Sequence, residues 1–258
     1  VTKIYAVTNQ KGGVGKTTTC VNLAASLVAT KRKVLLIDMD PQGHATLGSG
    51  INKKDLTLSV YDVLMGDTAA ASACLTTQPG GYDLLPANVD LAGAEVNLID
   101  LPNRERRLAE ALDSIKQNYD FILIDCPPSL NLLTINALTA ARGVLVPVQC
   151  EYYALEGLTS LLDTLNRVAG SVNPGLEVTG ILRTMYDPRN SLTRDVSAQL
   201  TDYFKDQVFG TVIPRNVRLA EAPSYGMPVL SYDAKSKGSL AYLALAGEIL
   251  RRSTTPTQ

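Results

Sequence analysis

The chain of 258 residues has no tryptophan, only three phenylalanines and a single histidine, His44. Without large aromatics, a core must be packed mainly from Val, Ile, Leu and Ala, and the length is ample for one well-buried α/β domain. One histidine excludes His-rich metal sites and catalysis by a paired histidine. The four cysteines, Cys20, Cys74, Cys126 and Cys150, are widely spaced and form no C-x-x-C pair. That spacing argues against zinc or cluster ligation within one chain and suits a reducing cytosol. Charge excess is lacking as well: 24 basic residues oppose 25 acidic ones, for a net charge of −1. Global attraction to nucleic acid is therefore not expected, and any DNA binding must come from a local basic patch. No apolar run approaches the ~20 residues of a membrane span. The first residues read straight into a strand-like run, so no signal peptide is expected.

What is present is a series of short apolar runs: Ile4–Val7, Val34–Ile37, Tyr82–Leu85, Phe121–Ile124, Val144–Val148, Val178–Leu182 and Thr211–Ile213. Continuous runs of this kind suit strands buried on both faces of a parallel sheet. Helical periodicity lies between most of them, at Thr17–Ala29, Asn103–Gln117, Leu130–Ala141, Leu155–Ala169 and Thr193–Lys205. The alternation predicts a doubly wound, mostly parallel α/β sheet flanked by helices, with ligand loops at the strands' C-terminal ends. A single domain over 1–252 is expected, with loops and short helices in Thr46–Ala94 and a disordered tail at 253–258.

The first strand-like run leads into Gln10-Lys11-Gly12-Gly13-Val14-Gly15-Lys16-Thr17-Thr18, which opens a helix-like run. Gly-Gly-Val-Gly alone could be a flexible turn. Between a strand and a helix, it is what a phosphate-binding loop requires, because loop N–H groups and the positive helix end converge on an anion. Lys16 is then expected to reach the β- and γ-phosphates and Thr17 to ligate Mg²⁺. The general pattern is G-x-x-x-x-G-K-[ST]; here its first glycine is replaced by Gln10, and a second lysine, Lys11, follows. In this the chain resembles the deviant Walker A ATPases.

Two further runs end in acids. Val34 to Ile37 precedes Asp38-Met39-Asp40-Pro41-Gln42-Gly43, and a spacing of two along a strand would place both carboxylates on one side, near the phosphate loop. One could help the metal shell and the other hold a water; they could also be ordinary turn formers before Pro-Gln-Gly. Phe121-Ile122-Leu123-Ile124-Asp125 reads as a Walker B strand, with Asp125 expected to hold Mg²⁺ directly or through a water. Cys126 is expected to be a packed thiol.

With K-G-G-V-G-K-T-T, D-M-D-P-Q-G-H-A-T and I-D-C-P-P-S-L in this order, the chain is similar to the ParA/Soj chromosome-partitioning ATPases. The similarity continues through Pro147–Gly157, Thr184–Arg189 and Val212–Gly226, and so spans roughly Lys3 to Leu250. It implies an ATPase with a slow basal rate that uses ATP and Mg²⁺. Lys11 would reach across a homodimer to the partner's ATP, and Gly12 would sit where two loops face each other. Gly13, Val14, Gly15, Lys16, Thr17 and Thr18 would bind phosphates and Mg²⁺, with Asp125 and Asp38 near the metal. Asp40 would position or activate the attacking water. Met185, Pro214 and Asn216 would surround the adenine.

Arg189 and Arg218 match basic positions that bind DNA; Arg215, Lys235 and Lys237 crowd the same C-terminal third, and Arg251-Arg252 could extend the patch. The implied partners are non-specific double-stranded DNA, bound with ATP, and a ParB-type centromere-binding protein that stimulates hydrolysis. The implied location is cytoplasmic and nucleoid-associated, with no membrane. Rival readings are a MinD-like membrane-associated positioning ATPase, a reductase with a cluster bridging two subunits, and a polymer that uses ATP only to assemble. The first would need a C-terminal amphipathic helix with a basic face; Ala241–Ile249 reads instead as a core helix.

Overall fold

The apolar runs become strands of one sheet. The structure, a computed structural model, describes residues 1–254. In chain order the elements are β1 (Lys3–Val7), α1 (Lys16–Ala29), β2 (Val34–Asp38), α2 (His44–Gly48), α3 (Val60–Met65), α4 (Ala70–Ala73), β3 (Leu75–Thr76) and β4 (Asp83–Leu85). Then follow α5 (Leu91–Asn97), α6 (Arg107–Leu112), β5 (Phe121–Asp125), α7 (Leu132–Ala140), β6 (Gly143–Gln149) and α8 (Ala154–Ser171). The last are β7 (Glu177–Tyr186), α9 (Ser191–Phe204), β8 (Val208–Pro214), α10 (Val217–Glu221), α11 (Val229–Tyr232) and α12 (Lys237–Thr254).

The sheet order is β3-β4-β2-β5-β1-β6-β7-β8, and every pairing is parallel except that of β3 with β4. Strands β2 and β5 are buried at all five residues each, because alternate side chains feed two different cores. Leu35, Ile37, Ile122 and Ile124 face one core, with Leu64, Leu98, Leu133 and Leu161 from α3, the end of α5, α7 and α8. Leu36 and Leu123 face the other, with Leu23 and Leu27 of α1 and Tyr242 and Leu245 of α12. Each buried Leu or Ile contributes about 1.5–3 kcal/mol over leaving it exposed, so the sheet is held from both sides.

Register decides where the chemistry sits. Asp125 pairs with Val7 across β1–β5 and with Asp38 across β2–β5. Both carboxylates thus emerge at one level, beside the end of β1, where the glycine loop begins. That is the carboxyl end of a parallel sheet, the place where such folds bind ligands.

Several expected boundaries move. Asn103–Gln117 yields only α6, because Asn103 takes a left-handed backbone (φ 54) and a 3₁₀ turn closes the segment at Lys116–Asn118. The Leu130–Ala141 helix starts at Leu132, since the Asn131 side chain accepts a hydrogen bond from Thr134 N and caps it. The Thr211–Ile213 run grows into the whole of β8, and Tyr82–Leu85 starts as a strand only at Asp83. Ala241–Ile249 is the middle of α12, with Tyr242, Leu245, Ala246 and Ile249 buried. Ser253 and Thr254 end that helix rather than starting a tail; 255–258 lie outside the described residues. Among the described residues, no helix is long and apolar enough to cross a membrane.

Candidate nucleotide site

Helix α1 starts without a side-chain cap. Its N-cap is Gly15, at φ 89, and Gly13 before it also has a positive φ of 74. Glycine takes this left-handed geometry at no steric cost, and the turn leaves the first helical N–H groups pointing into the loop's mouth, where an anion can satisfy them. Lys16 is buried, and its ammonium donates to the Lys11 carbonyl at 3.3 Å. Burial lowers the Lys16 pKa, while the nearby Asp125 pulls it back up. The loop is braced from β7, whose Thr184 Oγ1 donates to Val14 O at 2.8 Å.

Beneath the loop, Thr17 Oγ1 donates to Asp125 Oδ2 at 2.7 Å. Asp125 is fully buried; burial first, then the charge of Asp38, push its pKa up to about 8. Asp38 is equally buried and is pushed up to about 6, again by burial. A hydroxyl next to a carboxylate, with a second buried carboxylate alongside, is a hard-oxygen set short of positive charge. It fits a divalent cation such as Mg²⁺. Asp38, however, is already engaged: its oxygens accept from Thr46 Oγ1 at 2.7 Å, Thr46 N at 2.8 Å and Asp40 N at 3.2 Å.

Strand β2 stops at Asp38, so the alternation expected to align Asp38 with Asp40 does not apply. Asp40 instead sits half-buried in the turn after the strand and accepts from Gln42 N at 2.9 Å. Gly43, at φ 61, closes that turn; a Cβ there would lie 2.4 Å from the Lys53 side chain and 2.9 Å from Ala87 O. At the loop's outer edge, Lys11 Nζ pairs with the Glu151 carboxylate of the same chain. A Cβ added at Gly12 would meet no atom within 4 Å.

Met185, Pro214 and Asn216 lie at the ends of β7 and β8. Met185 takes a left-handed backbone (φ 49), unusual for a residue with a long side chain, and the β7–β8 register shifts between Arg183 and Tyr186. Asn216 caps α10 without a side-chain hydrogen bond, and its buried Oδ1 has no partner in the protein. A buried acceptor left open is costly unless a ligand donor meets it. A cleft of about 410 Å³ between α1, α2 and the 222–227 segment is lined by Thr17, Thr18, Asn22, His44, Ala222 and Met227. A larger cavity, about 880 Å³, is lined by Lys3, Tyr5, Arg142, Gly143 and Glu177. Those residues begin strands, so it opens at the wrong end of the sheet for this chemistry.

The basic residues converge in part. Arg215 N donates to Tyr186 O at 3.1 Å, which brings the loop of Arg189 against that of Arg215 and Arg218. Arg189 grips Asp187 through two hydrogen bonds, 2.9 and 2.8 Å, and these hold the Asp187 carboxyl down at about 2. Arg218 pairs with Glu221 at 2.8 Å and Asp233 at 3.3 Å. Lys235 and Lys237 are exposed at the approach to α12. Both arginines are thus partly neutralised within the chain, so a phosphate has to compete for them.

Three residues here were not singled out in the sequence: Thr46, which holds Asp38; Thr184, which braces the loop; and Glu151, which holds Lys11. All lie inside the stretches that carry the family resemblance, so motif membership was the available signal.

Comparison with known proteins agrees with this geometry. A family model described as an AAA domain matches residues 2–178. The chain is 54% identical over 247 residues to the sporulation initiation inhibitor protein Soj of Bacillus subtilis, covering 96% of this chain and 98% of that one. It is 52% identical over 252 residues to the chromosome partitioning protein ParA of Caulobacter vibrioides, covering 97% and 94%. Among solved structures, a cobyrinic acid a,c-diamide synthase from Mycobacterium smegmatis, with bound ADP and magnesium, superposes with a TM-score of 0.87. It is 41% identical and covers 99% of this chain and 96% of its own.

Proposed function

The chain belongs to the ParA/Soj family of chromosome-partitioning ATPases, and from that premise we propose that it is a nucleotide-gated DNA-partitioning switch. Its substrate is ATP with Mg²⁺. The synthase activity named for the structural neighbour is not carried over, since the partitioning relatives are the more similar in sequence. The observation that carries the reading is the Thr17–Asp125 hydrogen bond beneath an uncapped helix start.

Bound Mg²⁺ would supply charge to the β- and γ-phosphate oxygens. Thr17 and Asp125 would hold it, and Asp38, its carboxylate fixed by Thr46, would add negative charge nearby. Lys16, exchanging the Lys11 carbonyl for phosphate, neutralises the charge that develops during transfer. The loop residues Gly13, Val14, Gly15 and Thr18 complete the phosphate cradle. Met185, Pro214 and Asn216 take the adenine; Asn216 Oδ1, buried and without a partner in the protein, is the acceptor that a small side-chain rotation would offer to an amino donor.

Asp40 orients the attacking water. A carboxylate is a weak base, so basal turnover is slow and a partner must accelerate it. In the ATP state two copies face each other, Gly12 against Gly12. Each Lys11 leaves Glu151 for the other copy's nucleotide, as an arginine finger would.

Dimerisation doubles the patch of Arg189, Arg215, Arg218, Lys235 and Lys237. Two patches overcome a net charge near zero and bind duplex DNA through its phosphates, without base readout. Hydrolysis removes the γ-phosphate contacts, splits the patch and frees the protein. The accelerating partner is a ParB-type centromere-binding protein, and the protein works in the cytoplasm on the nucleoid. The membrane-bound alternative loses support because α12 buries its apolar face against α1 and β8.

Phosphate release tests the reading, measured for wild type and Lys16→Ala with DNA and the cognate ParB-type protein. Wild type should hydrolyse slowly alone and faster with both, and Lys16→Ala should show no ATP response. Equal rates for the two proteins would refute it.

A further inference from the structure

Helix α5 is apolar on both faces. Its inner face is buried through Leu91, Ala94 and Leu98. On the opposite side Val96 (68% exposed) projects from the helix, with Val89 (72%) in the turn just before it and Ile99 (53%) in the turn just after it. The flanking Asp90 and Leu98 keep right-handed helical backbone angles, so at about 100° per residue the three fall within a sector of about 80°, opposite the buried one. A surface helix ordinarily shows water a polar face, and scattered single exposed apolar residues need no explanation. Three aligned on one stripe do.

The same turn geometry places Asp90 and Glu95 on the two flanks of the stripe and Asp100 at its end. Arg104, which donates to Ile99 O at 3.1 Å, is paired with Glu105 at 2.9 Å, so the stripe's unpaired rim charges are carboxylates, complementary to an amphipathic segment with a basic rim.

The segment before α5 and the helix itself each hydrogen-bond toward an acid of the nucleotide site. Before the helix, Ala87 N donates to Thr46 Oγ1 at 3.0 Å, and that hydroxyl donates to Asp38 Oδ2 at 2.7 Å. Within it, Glu95 accepts a hydrogen bond from Asn131 Nδ2. Asn131 lies in the loop that follows Asp125 and also caps α7. The segment carrying α5 is therefore hydrogen-bonded to the loops that follow both acids.

We propose that the outer face of α5, with Val89, Val96 and Ile99 flanked by Asp90, Glu95 and Asp100, is the docking surface for a basic amphipathic segment of the stimulating partner. Docking reaches the hydrolytic site through Asn131 and Thr46. This rests on the partner-stimulated ATPase reading above and names where the partner acts.

The test measures DNA-dependent ATP hydrolysis against concentration of the cognate ParB-type protein, for wild type, Val96→Glu with Ile99→Glu, and Asn131→Asp. A fluorescent synthetic peptide of alternating Leu and Lys or Arg turns serves as a direct binding probe. The Val96/Ile99 variant should lose at least tenfold in half-saturation by partner and in peptide affinity. Its basal rate, thermal unfolding and ATP-dependent dimerisation should match wild type.

Asn131→Asp keeps the helix cap but removes the donor to Glu95. Its half-saturating partner concentration should stay within twofold of wild type while its maximal stimulation falls, a split that a merely structural role would not produce. If wild type is stimulated and the Val96/Ile99 variant is stimulated equally, the docking surface is wrong and the switch reading stands. If that variant instead fails to dimerise with ATP, the stripe belongs to the dimer and the proposal is overturned. If wild type itself is not stimulated, the partner reading fails and the proposal with it.

Discussion

Lys11 is held by Glu151 of its own chain at the rim of the phosphate loop. Each side chain of the pair is about half exposed, 53% and 47%. A pair so placed is worth little, no more than about 1 kcal/mol, so it orients Lys11 without locking it. Glu151→Gln should shift ATP-dependent dimerisation, followed by light scattering, by no more than about fivefold. Lys11→Ala should leave ATP binding intact and abolish partner-stimulated phosphate release. A large effect of Glu151→Gln would mean that the pair is a lock.

Asp40 sits half-buried after β2, and the contact its side chain makes is with the Gln42 amide. Asp40→Ala should therefore fold normally and bind ATP, yet lose on the order of 10²-fold or more in hydrolysis, the range for removing a positioned acid–base group. The variant should persist on DNA as an ATP dimer. Turnover at the wild-type rate would remove Asp40 from the mechanism.

The two glycines of the site should respond in opposite ways. Gly12 has open space around it, so Gly12→Val should fold and bind ATP but fail to dimerise. Gly43 needs its left-handed turn and lies against Lys53 and Ala87. Gly43→Ala should cost about 1–3 kcal/mol of stability by chemical denaturation. A monomeric, stable Gly12 variant beside a destabilised Gly43 variant is the expected contrast; ATP-dependent dimers of the Gly12 variant would contradict it.

Asp125 gives the ligand-free protein a pH signature. In the unfolded chain its carboxyl titrates near 4, whereas burial raises it to about 8 in the fold. The folded state holds the proton more tightly, so this term favours folding at low pH and is lost as pH rises from 4 through 8. Without ligand, the stability measured in urea should fall between pH 6 and pH 8.5, on the order of 1–3 kcal/mol. Asp125→Asn should flatten that slope, and ATP with Mg²⁺ should reverse it for wild type by supplying the missing positive charge. A ligand-free stability that rises over this range would contradict the assignment.

Much of this site is legible in the sequence, because phosphate chemistry demands residue types in a tight order. The glycine loop, Lys16, Thr17 and the acids ending two apolar runs could be placed before any coordinates. The strand–helix alternation likewise specifies the parallel sheet. Longer-range hydrogen bonds are not legible. Thr46 reaches Asp38 because α2 turns back under β2, and Thr184 reaches Val14 from a strand distant in sequence. The 46–94 region resisted reading for a related reason: its short helices α2 to α5 are held by packing, with too few turns to show a period. Conversely, Asn103 delays the start of the expected Asn103–Gln117 helix to Arg107 through one left-handed residue that periodicity does not register.

Arg189 and Arg218 test the basic patch. Each is paired to carboxylates in the chain, so their loss should perturb the fold little. In a dimer, Arg189→Ala with Arg218→Ala removes four positive charges. The slope of log affinity against log salt should flatten by up to about 3.6, with slope changing by about 0.9 per phosphate contact. Basal hydrolysis should be unchanged. An unaltered salt slope would return both arginines to plain surface charge.

The most direct test of the switch itself is fluorescence anisotropy of a random-sequence duplex with ATP, with ADP and without nucleotide, across a salt series. The nucleotide-gated account predicts tight binding with ATP alone, weakening steeply as salt rises. Binding that is absent, or equal in all three states, would contradict it.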